Sequence, residues 1–327
     1  MKQASLISVI VPTCFREQLL IDCVDSLVSQ SYPSFEIIVI DQAPQPRLEA
    51  VLGERFHGDP RIRYFHVDAA GAARARNTGV AHAAGSIVAF IDDDAVAETA
   101  WLQEVAEALE DPLHPAVVAG RLLPLWNGRR PPWYPRQAEY LLGLYDIGDR
   151  RCPMPPADLP IGANMAGLRS IIIENGGFDE NLGPNYFRKN QRITGEDGIL
   201  GQRIRAAGHV ILYEPGAVVR HRVDAHKQTR SYFITRNFWE GVTVIQQMQL
   251  LGVAGSSRWP HYRFHGREIC MAIARWILPT YRHNYTASNS VVRMLALGRV
   301  AYSLGVMYGL GIAPPDSANS SSQCASA

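Results

Sequence analysis

Short apolar runs alternate with helical patterns over the first third of this chain, and this alternation most constrains its fold. Three of the runs are Leu6–Val11, Glu36–Asp41 and Ser86–Ile91. Helical spacing of apolar residues lies between them, at about Glu17–Gln30 and Gly71–Ala84. Strands and helices that alternate in this way form a mainly parallel sheet with helices on both faces. The sequence therefore predicts a Rossmann-like α/β fold.

Polar side chains follow these three runs at the point where each strand ends. Thr13 follows the first run, Asp41 closes the second, and Asp92–Asp94 follow the third. Ligands of such sheets bind in the crevice at the carboxyl ends of the strands, so we expect the active site there. Three adjacent carboxylates repel one another unless a cation or hydrogen-bond donors meet them. The residues alone leave open a divalent-metal site or an acidic loop that caps the helix starting near Glu98.

Composition bounds the class of protein. The chain has 327 residues, of which 47% are hydrophobic and 19% are charged, as expected for a soluble protein with a sizeable core. Lys and Arg number 32 against 31 Asp and Glu, a net charge of +1 that gives no support for nucleic-acid binding. The five cysteines form no CxxC pair, so neither a zinc site nor a disulfide framework is indicated, and a reducing cytosol is the simplest setting.

Two further stretches allow more than one interpretation. The segment Pro124–Pro156 is rich in proline and aromatic residues, which suit either a sugar or lipid site or a cover for the core. The segment Thr194–Asp197 stands directly before a helical pattern. Its acids suit a helix N-terminus, where Thr194 or Asp197 would be a helix cap without further function.

Five blocks of the sequence resemble the family 2 glycosyltransferases, inverting enzymes of the GT-A fold that use nucleotide-diphosphate sugars. The blocks come in the family's order: Ser8–Thr13, Glu36–Asp41, Gly71–Gly79, Phe90–Asp94, and Gly195–Asp197 with Leu200, Arg203 and Gly208. The resemblance implies a GT-A domain over residues 1–225. Its nucleotide-sugar-binding half covers about 1–121, and its acceptor half covers about 122–225.

The resemblance also implies a nucleotide site. Asp41 matches the acid that accepts a hydrogen bond from a ring N–H of the nucleobase. The next position, often a second acid in the family, is Gln42 here, so the base preference stays open among UDP, dTDP and GDP, with UDP or dTDP expected. The other residues that the resemblance places at the nucleotide are Pro12, Thr13, Arg76, Asp92 and Asp93.

A metal ion belongs to the implied site. Asp94 matches the last acid of the DxD motif, which binds Mn²⁺ or Mg²⁺ bridging both phosphates, and hard oxygen ligands suit such a cation. The metal offsets the charge that grows on the leaving diphosphate. His221 matches a position that completes the metal shell in some relatives; the alternative is a surface histidine beside Arg220 and Arg222.

Asp197 matches the catalytic base of the family. An inverting transfer needs one carboxylate to take the proton of the acceptor hydroxyl, and a positioned general base typically contributes about 10²–10⁴-fold. Glu196 beside it should raise the proton affinity of the pair. The resemblance places Glu196 and Asn164 near the donor sugar or the acceptor.

Beyond the family motifs, residues 226–312 are predicted to form a helical extension, and residues 313–327 a disordered tail. The stretch Val291–Ile312 is apolar but contains Arg293 and Arg299, and its uncharged part is shorter than the ~20 residues that span a bilayer. It forms either a hairpin packed on the domain or an interfacial surface at a membrane. We expect the second, with the protein cytoplasmic and peripheral on the inner face of the cell membrane.

These patterns together predict a glycosyltransferase of the hexosyltransferase type. It would move a single sugar to a hydroxyl of a glycan or glycolipid acceptor, in polysaccharide, glycolipid or cell-envelope glycan synthesis. The QxxRW motif of processive synthases is absent. The alternatives are a nucleotidyltransferase on a related fold and a non-catalytic carbohydrate-binding relative. No glycine lies in Pro12–Arg16, which disfavours a phosphate loop and the GxGxxG turn of dinucleotide oxidoreductases.

Overall fold

The computed structural model describes residues 4–68, 71–183, 194–251, 259–277 and 289–311. The described residues fall into two compact units. The first unit is drawn from Met1–Asn127, Gly143–Arg192 and Glu196–Val223, and the second from Gly128–Leu142, Ile193–Gly195 and Asp224–Ala327.

The first unit is an α/β structure. Its elements, in chain order, are β1 (Ile7–Thr13), α1 (Glu17–Val28), β2 (Phe35–Asp41), α2 (Leu48–Arg55), β3 (Ile62–His66), α3 (Ala72–His82), β4 (Ile87–Phe90), β5 (Ala95–Ala97), α4 (Trp101–Leu109), β6 (Val117–Trp126), β7 (Cys152–Pro153), β8 (Met165–Leu168), α5 (Arg169–Glu174), α6 (Glu196–Ala206) and β9 (Ile211–Val223).

All nine of these strands join one sheet in the order β3-β2-β1-β4-β8-β6-β9-β5, with β7 paired to β9. The strands β3, β2, β1 and β4 are parallel, and β6 is parallel to β9. Antiparallel pairs join β8 to β4 and β6, and β9 to β5 and β7. The predicted α/β sheet covered by helices is confirmed. Parallel pairing occurs only within the β3-β2-β1-β4 group and between β6 and β9 among the described strands.

The register of the parallel strands brings the predicted polar ends together. Thr13 lies opposite Asp41, and β4 ends at Phe90 opposite Ile10, so the following acids emerge at the same edge. Alternate residues of β1 contribute to different apolar clusters: Val9 packs in the cluster that contains α1 residues, and Ile10 in the one that contains α3 residues. The sheet is therefore covered on both faces, which explains why its central strands lack a polar side.

Several elements extend further than the sequence patterns indicated. β1 continues through Pro12 to Thr13, because the fixed φ of proline is compatible with an extended strand. β9 is continuous from Ile211 to Val223 although its sequence suggests two pieces. A register shift accommodates the difference: Gly120 pairs with Glu214, whereas the next residue of β6 pairs with Val218.

The helix expected near Glu98 begins at Trp101, and no side chain caps it. The interpretation of Asp92–Asp94 as a helix cap is therefore wrong. Within Pro124–Pro156, Trp133 and Tyr134 lie edge-on against the Phe233 ring, with centroids 6.2 and 5.3 Å away. These two aromatic side chains cover apolar surface inside the second unit.

The second unit contains three long helices, α7 (Arg230–Leu250), α8 (Trp259–Ile277) and α9 (Asn289–Gly309), with 3₁₀ turns at Arg136–Leu142 and Ala225–Gln228. The predicted C-terminal helices are thus present. Close approach of α7 and α9 requires glycine, because a Cβ on Gly305 would lie 1.8 Å from the Phe238 carbonyl oxygen and one on Gly241 2.2 Å from that of Tyr302. The predicted tail, residues 313–327, lies outside the described residues.

A similar close contact joins α3 to the sheet and yields a first prediction. A Cβ on Gly79 would lie 2.4 Å from Cγ2 of Ile10, whereas nothing lies within 4 Å of a Cβ on Gly53 of α2. We expect Gly79→Ala to lower the free energy of unfolding by about 1–3 kcal/mol through overpacking. Gly53→Ala is the matched control and should raise it by up to about 1 kcal/mol, since alanine favours helix. Calorimetric unfolding of both variants measures these changes in stability. Equal changes at the two sites would contradict the close contact between Gly79 and Ile10.

A buried polar cluster lies at the opposite end of the sheet from the acids. Glu36 accepts hydrogen bonds from the Ser8 hydroxyl (2.6 Å), the Arg63 guanidinium (2.6 Å) and the Ala84 N–H (2.7 Å). Burial alone would raise the pKa of Glu36, but these donors outweigh it and hold the pKa below its usual range. The carboxylate therefore stabilises the fold in its ionised form.

The stability that Glu36 contributes should depend on pH. Glu36→Gln is expected to lower the free energy of unfolding at pH 7 by about 1–3 kcal/mol. Because folding depresses the pKa, this stabilisation is complete above the unfolded pKa of about 4.3 and is lost as pH falls through the folded value. The difference in unfolding midpoint between wild type and variant should then narrow below about pH 4. Glu54→Gln, an exposed change on α2, serves as control, and a pH-independent gap at Glu36 would refute the assignment.

Candidate active site

The middle acid of the triplet is held by one side chain at the end of β1 and one that follows it. Asp93 accepts a hydrogen bond from the Thr13 hydroxyl (2.7 Å) and forms an ion pair with Arg16 (3.0 Å). Arg16 also contacts Asp94 at 3.1 Å. Burial raises the pKa of the Asp93 carboxyl to about 6, Arg16 opposes the rise, and Asp94 adds to it. Both oxygens of Asp93 are thus engaged within the protein.

Two other residues predicted at the nucleotide, Pro12 and Asp41, are buried in the sheet. Pro12 pairs with Ile40 in the ladder. Asp41 is 0% exposed, and its oxygens accept from the Ala43 N–H (2.9 Å) and the Tyr64 hydroxyl (2.7 Å). The structure therefore places Asp41 just beneath the surface of the carboxyl edge.

Arg76 connects the two acidic parts of the site. Its guanidinium donates to Asp92 Oδ1 (2.8 Å) and to Glu196 Oε1 (2.6 Å), and lies 5.5 Å from the centroid of the Phe178 ring. The residue is buried and packs closely on Gly162, where a Cβ would lie 3.0 Å from Cζ of Arg76. A buried guanidinium requires such pairing, because an unpaired charge in the interior costs several kcal/mol.

Asp197 lies in the first turn of α6 and remains partly exposed. Its Oδ2 accepts from the Gly162 N–H and its Oδ1 from the Gly198 N–H, each at 2.8 Å. The positive end of the helix dipole favours a carboxylate at this position. Since α6 begins at Glu196, neither Thr194 nor Asp197 occupies the position that precedes the helix, and the simple cap interpretation is wrong.

Glu196, in contrast, is buried. Burial raises the pKa of its carboxyl, the neighbouring Asp197 raises it further, and Arg76 opposes both. The two adjacent acids of α6 therefore differ in environment: Glu196 is enclosed and paired with a cation, whereas Asp197 is held by backbone N–H groups and faces accessible space.

A group of ligand atoms suited to a divalent cation lies beside these residues. Asp92, Asp94 and His221 each offer one atom, and the three atoms lie within 4.8 Å of one another. The pairing of Ala95 with His221 in the sheet brings the imidazole to the acids, where its Nε2 lies 3.2 Å from Asp94 Oδ1.

The environment of this group fits a hard cation. His221 is 7% exposed, so the alternative of a surface histidine is wrong. Within the described part of the chain, its Nδ1 is buried without a hydrogen-bond partner. Two carboxylates and an imidazole form a donor set that Mn²⁺ or Mg²⁺ accepts. The sequence predicts Asp94 and His221 as metal ligands, and the geometry adds Asp92 as a candidate ligand.

The side chain of Asn164, predicted to lie near the donor sugar or the acceptor, is enclosed by protein. Its Oδ1 accepts from the Trp101 indole N–H (2.8 Å), and its Nδ2 donates to the carbonyl oxygens of Arg121 (2.9 Å) and Ala217 (2.8 Å). The side chain is buried and joins β6, β9 and α4. Its link to the site is the turn that it ends, since Gly162 in that turn contacts Asp197.

Sequence reasoning missed two residues at this edge, Arg16 and Phe15. Phe15 has φ +60°, a left-handed conformation that is uncommon for an aromatic residue, and its side chain is 65% exposed. It follows β1 directly. The only available signal was its place, within three residues of Thr13 after a strand end.

The architecture and these acids define a protein of the GT-A class, and comparisons with known proteins agree. The model of glycosyl transferase family 2 matches residues 8–176, just over half of the chain. The chain therefore belongs to glycosyl transferase family 2, and it is a glycosyltransferase.

Individual relatives support the same family. A glucosyl-dolichyl phosphate glucuronosyltransferase of Haloferax volcanii is 24% identical over 221 residues, which cover 67% of this chain and 69% of the relative. A pre-mycofactocin glycosyltransferase of Mycobacterium tuberculosis H37Rv is 30% identical over 64% of this chain and 42% of its own length. The chain thus spans less than half of the second relative.

A solved structure shares the fold. The mannosyltransferase PcManGT from Pyrobaculum calidifontis, determined in complex with GDP-Man and Mn²⁺, superposes with a TM-score of 0.61 over 94% of this chain and 88% of its own. The two sequences are 18% identical.

The ligand group leads to a prediction on metal affinity. We expect Asp94→Asn and His221→Gln each to weaken Mn²⁺ binding at least about tenfold, because each removes a ligand from the set. Asp59→Asn, which changes a carboxylate distant from this group and paired with Arg61, should leave the affinity unchanged. Electron paramagnetic resonance of free Mn²⁺ measures the affinity. Equal affinity in wild type and both site variants would place the cation elsewhere.

Proposed function

We propose that this glycosyltransferase is metal-dependent and inverting, and that it moves one sugar from a nucleotide-diphosphate sugar to a hydroxyl acceptor. One observation carries the proposal: Arg76 contacts both Asp92 and Glu196, and so links the ligand group to the pair Glu196–Asp197. A cation site for a diphosphate and a reachable carboxylate for an acceptor proton are the two parts that such a transfer needs.

The donor side of the site would lie at the carboxyl edge of β1 and β4. Asp92, Asp94 and His221 would hold Mn²⁺ or Mg²⁺, which when bound offsets the negative charge on the departing diphosphate. Thr13 and Arg16 hold the side chain of Asp93. Asp93 would thereby fix the conformation of the segment that contains the proposed metal ligands Asp92 and Asp94.

The nucleobase of the donor would be selected at Asp41. Asp41 would accept a hydrogen bond from a ring N–H, a donor that uracil, thymine and guanine have and adenine and cytosine lack. UDP or dTDP is proposed first because the family resemblance implies them. The neighbour PcManGT was solved with GDP-Man, which supports a sugar-nucleotide donor and keeps GDP in the comparison.

Asp197 is proposed as the general base, and Glu196 as its support. The acceptor oxygen attacks the anomeric carbon from the face opposite the diphosphate, the bond from that carbon to the diphosphate oxygen breaks, and the acceptor proton passes to Asp197. Glu196 is buried against Arg76 and cannot reach a substrate, whereas Asp197 is partly exposed. The Gly162 N–H holds Asp197 in one orientation for this step.

The acceptor is proposed to be a glycan or a glycolipid, in polysaccharide, glycolipid or cell-envelope glycan synthesis. The relative from Haloferax volcanii is named for transfer onto a glucosyl-dolichyl phosphate, which supports a glycolipid. A cytoplasmic site agrees with the free thiols of Cys14, Cys23, Cys152 and Cys270. No specific contact favours a nucleotidyltransferase or a non-catalytic relative over this proposal.

Variants of Asp197 test the chemical role. With UDP-, dTDP- and GDP-sugars and Mn²⁺, we expect one donor class to be hydrolysed slowly when water replaces the acceptor. Asp197→Asn should lower kcat for that release by about 10²–10⁴-fold, since it removes the proton acceptor. Calorimetric binding of the matching nucleotide with Mn²⁺ should remain within about twofold of wild type.

Two further variants separate the outcomes of this experiment. Asp94→Asn should lose both nucleotide binding and turnover, and Glu180→Gln, an exposed acid paired with Arg74, should lose neither. Retention of turnover in Asp197→Asn would exclude it as the base. Absence of nucleotide binding in a folded wild-type sample would exclude the proposed donor site.

A further inference from the structure

Basic residues are distributed very unevenly along this chain. Residues 226–312 contain ten Lys and Arg but only two acids, Glu240 and Glu268, which gives this segment a net charge of +8. The remaining residues contain 22 basic and 29 acidic side chains, a net charge of −7. The net charge of +1 for the whole chain therefore hides the strongly cationic segment 226–312. Such a segment is attracted to an anionic surface.

Exposed apolar side chains are concentrated in the same segment. Among the described residues, thirteen large hydrophobic side chains are exposed, and seven of them lie on α7, α8 and α9. These seven are Ile234, Phe264, Met271, Ile273, Leu297, Leu304 and Tyr308. Contiguous exposed apolar residues mark interaction surfaces, whereas isolated ones need no explanation.

The helix α8 shows how the two properties combine. One face packs on α9: Tyr262 donates to the Met307 carbonyl oxygen (3.3 Å), and Glu268 pairs with Arg299 (3.0 Å). The opposite side of α8 presents the exposed residues Arg263, Phe264, Arg267 and Met271, whose spacing places them within about 100° of one another around the axis. The main packing of α8 among the described elements is on α9, and these four residues form an exposed basic-apolar face of α8.

The exposed stripe of α9 has the same composition. Arg293, Leu297, Leu304 and Tyr308 are exposed and recur at spacings of four, seven and four residues, which keeps them on one side of the helix. Arginine can extend its guanidinium to a polar layer while its stem lies along apolar surface, so this mixture suits a boundary between water and oil.

We propose that the second unit binds the surface of an anionic lipid bilayer, with the basic-apolar face of α8 in the headgroup region. The arginines pair with lipid phosphates or carboxylates, and Phe264 and Met271 enter the upper acyl region. In a two-fold symmetric dimer built on this face, a second copy of the chain would bring a segment of equal +8 charge to it and repel it. Nucleic acid would satisfy the charge but leave the apolar side chains in water.

The packing of α9 favours a helix that lies with its bundle over one that crosses the bilayer. Residues Ser290–Gly309 are long and apolar enough to span a membrane, yet 44% of that stretch is buried within the protein. Glycines at Gly298, Gly305 and Gly309 fit it closely against α7, contacts that an isolated span would give up.

Vesicle flotation of the full chain, without donor or metal, tests the proposal. We expect binding to phosphatidylcholine vesicles that contain phosphatidylglycerol, weak binding to phosphatidylcholine alone, and a decrease with added salt because the attraction is screened. The double variants Arg263→Gln/Arg267→Gln and Phe264→Ser/Met271→Ser should each weaken binding at least about tenfold. Arg150→Gln and Ile173→Ser, exposed changes in the first unit, should bind as wild type.

Other outcomes overturn the proposal. Failure of wild type to bind anionic vesicles, or undiminished binding by both double variants, removes this face as the lipid site. Displacement of bound vesicles by a short DNA duplex at equal charge concentration would assign the surface to nucleic acid. A wild-type dimer in light scattering that both double variants abolish would assign it to a second copy. Because no substrate is present, these results are independent of the proposed transfer reaction.

Discussion

The guanidinium of Arg76 is the interaction on which the site depends. It is buried and compensates one acid from the strand-end loop, Asp92, and one from the start of α6, Glu196. Without it, the buried Glu196 carboxylate would lose its cation beside the partly exposed Asp92, and breaking a buried ion pair costs about 3–5 kcal/mol. The same bridge fixes the spacing between the ligand group and Asp197. Local stability and the geometry of the proposed active site therefore both depend on one side chain from α3.

The sequence patterns were sufficient to predict the sheet edge, for a physical reason. A buried parallel strand must be apolar along its length, so the first polar residue after it marks the carboxyl end, as at Thr13, Asp41 and Asp92. Strand ends that are distant in sequence then converge because parallel strands share one edge. Local periodicity also predicted α1, α3 and α6 to within a few residues.

Periodicity could not reveal contacts that depend on tertiary packing. Nothing in the sequence near Arg76 shows that its partners are Asp92 and Glu196, and nothing near Asp41 shows that Tyr64 covers one of its oxygens. The continuous β9 was also hidden, because its bulge interrupts the alternation that identifies a strand. The positive charge of residues 226–312 can be counted from the sequence alone, but the net charge of +1 for the whole chain gives no sign of it.

The three hydrogen bonds of the Asn164 side chain affect how activity data on this enzyme should be interpreted. Its amide joins Trp101 to two strand carbonyls and ends the turn whose backbone touches Asp197. In a mutational scan scored by activity alone, Asn164 would rank with the substrate-binding residues, although it is enclosed by protein. Measurement of protein abundance beside activity would separate the two, because loss at Asn164 should lower the amount of folded enzyme, whereas loss at Asp197, the proposed base, should lower turnover per molecule.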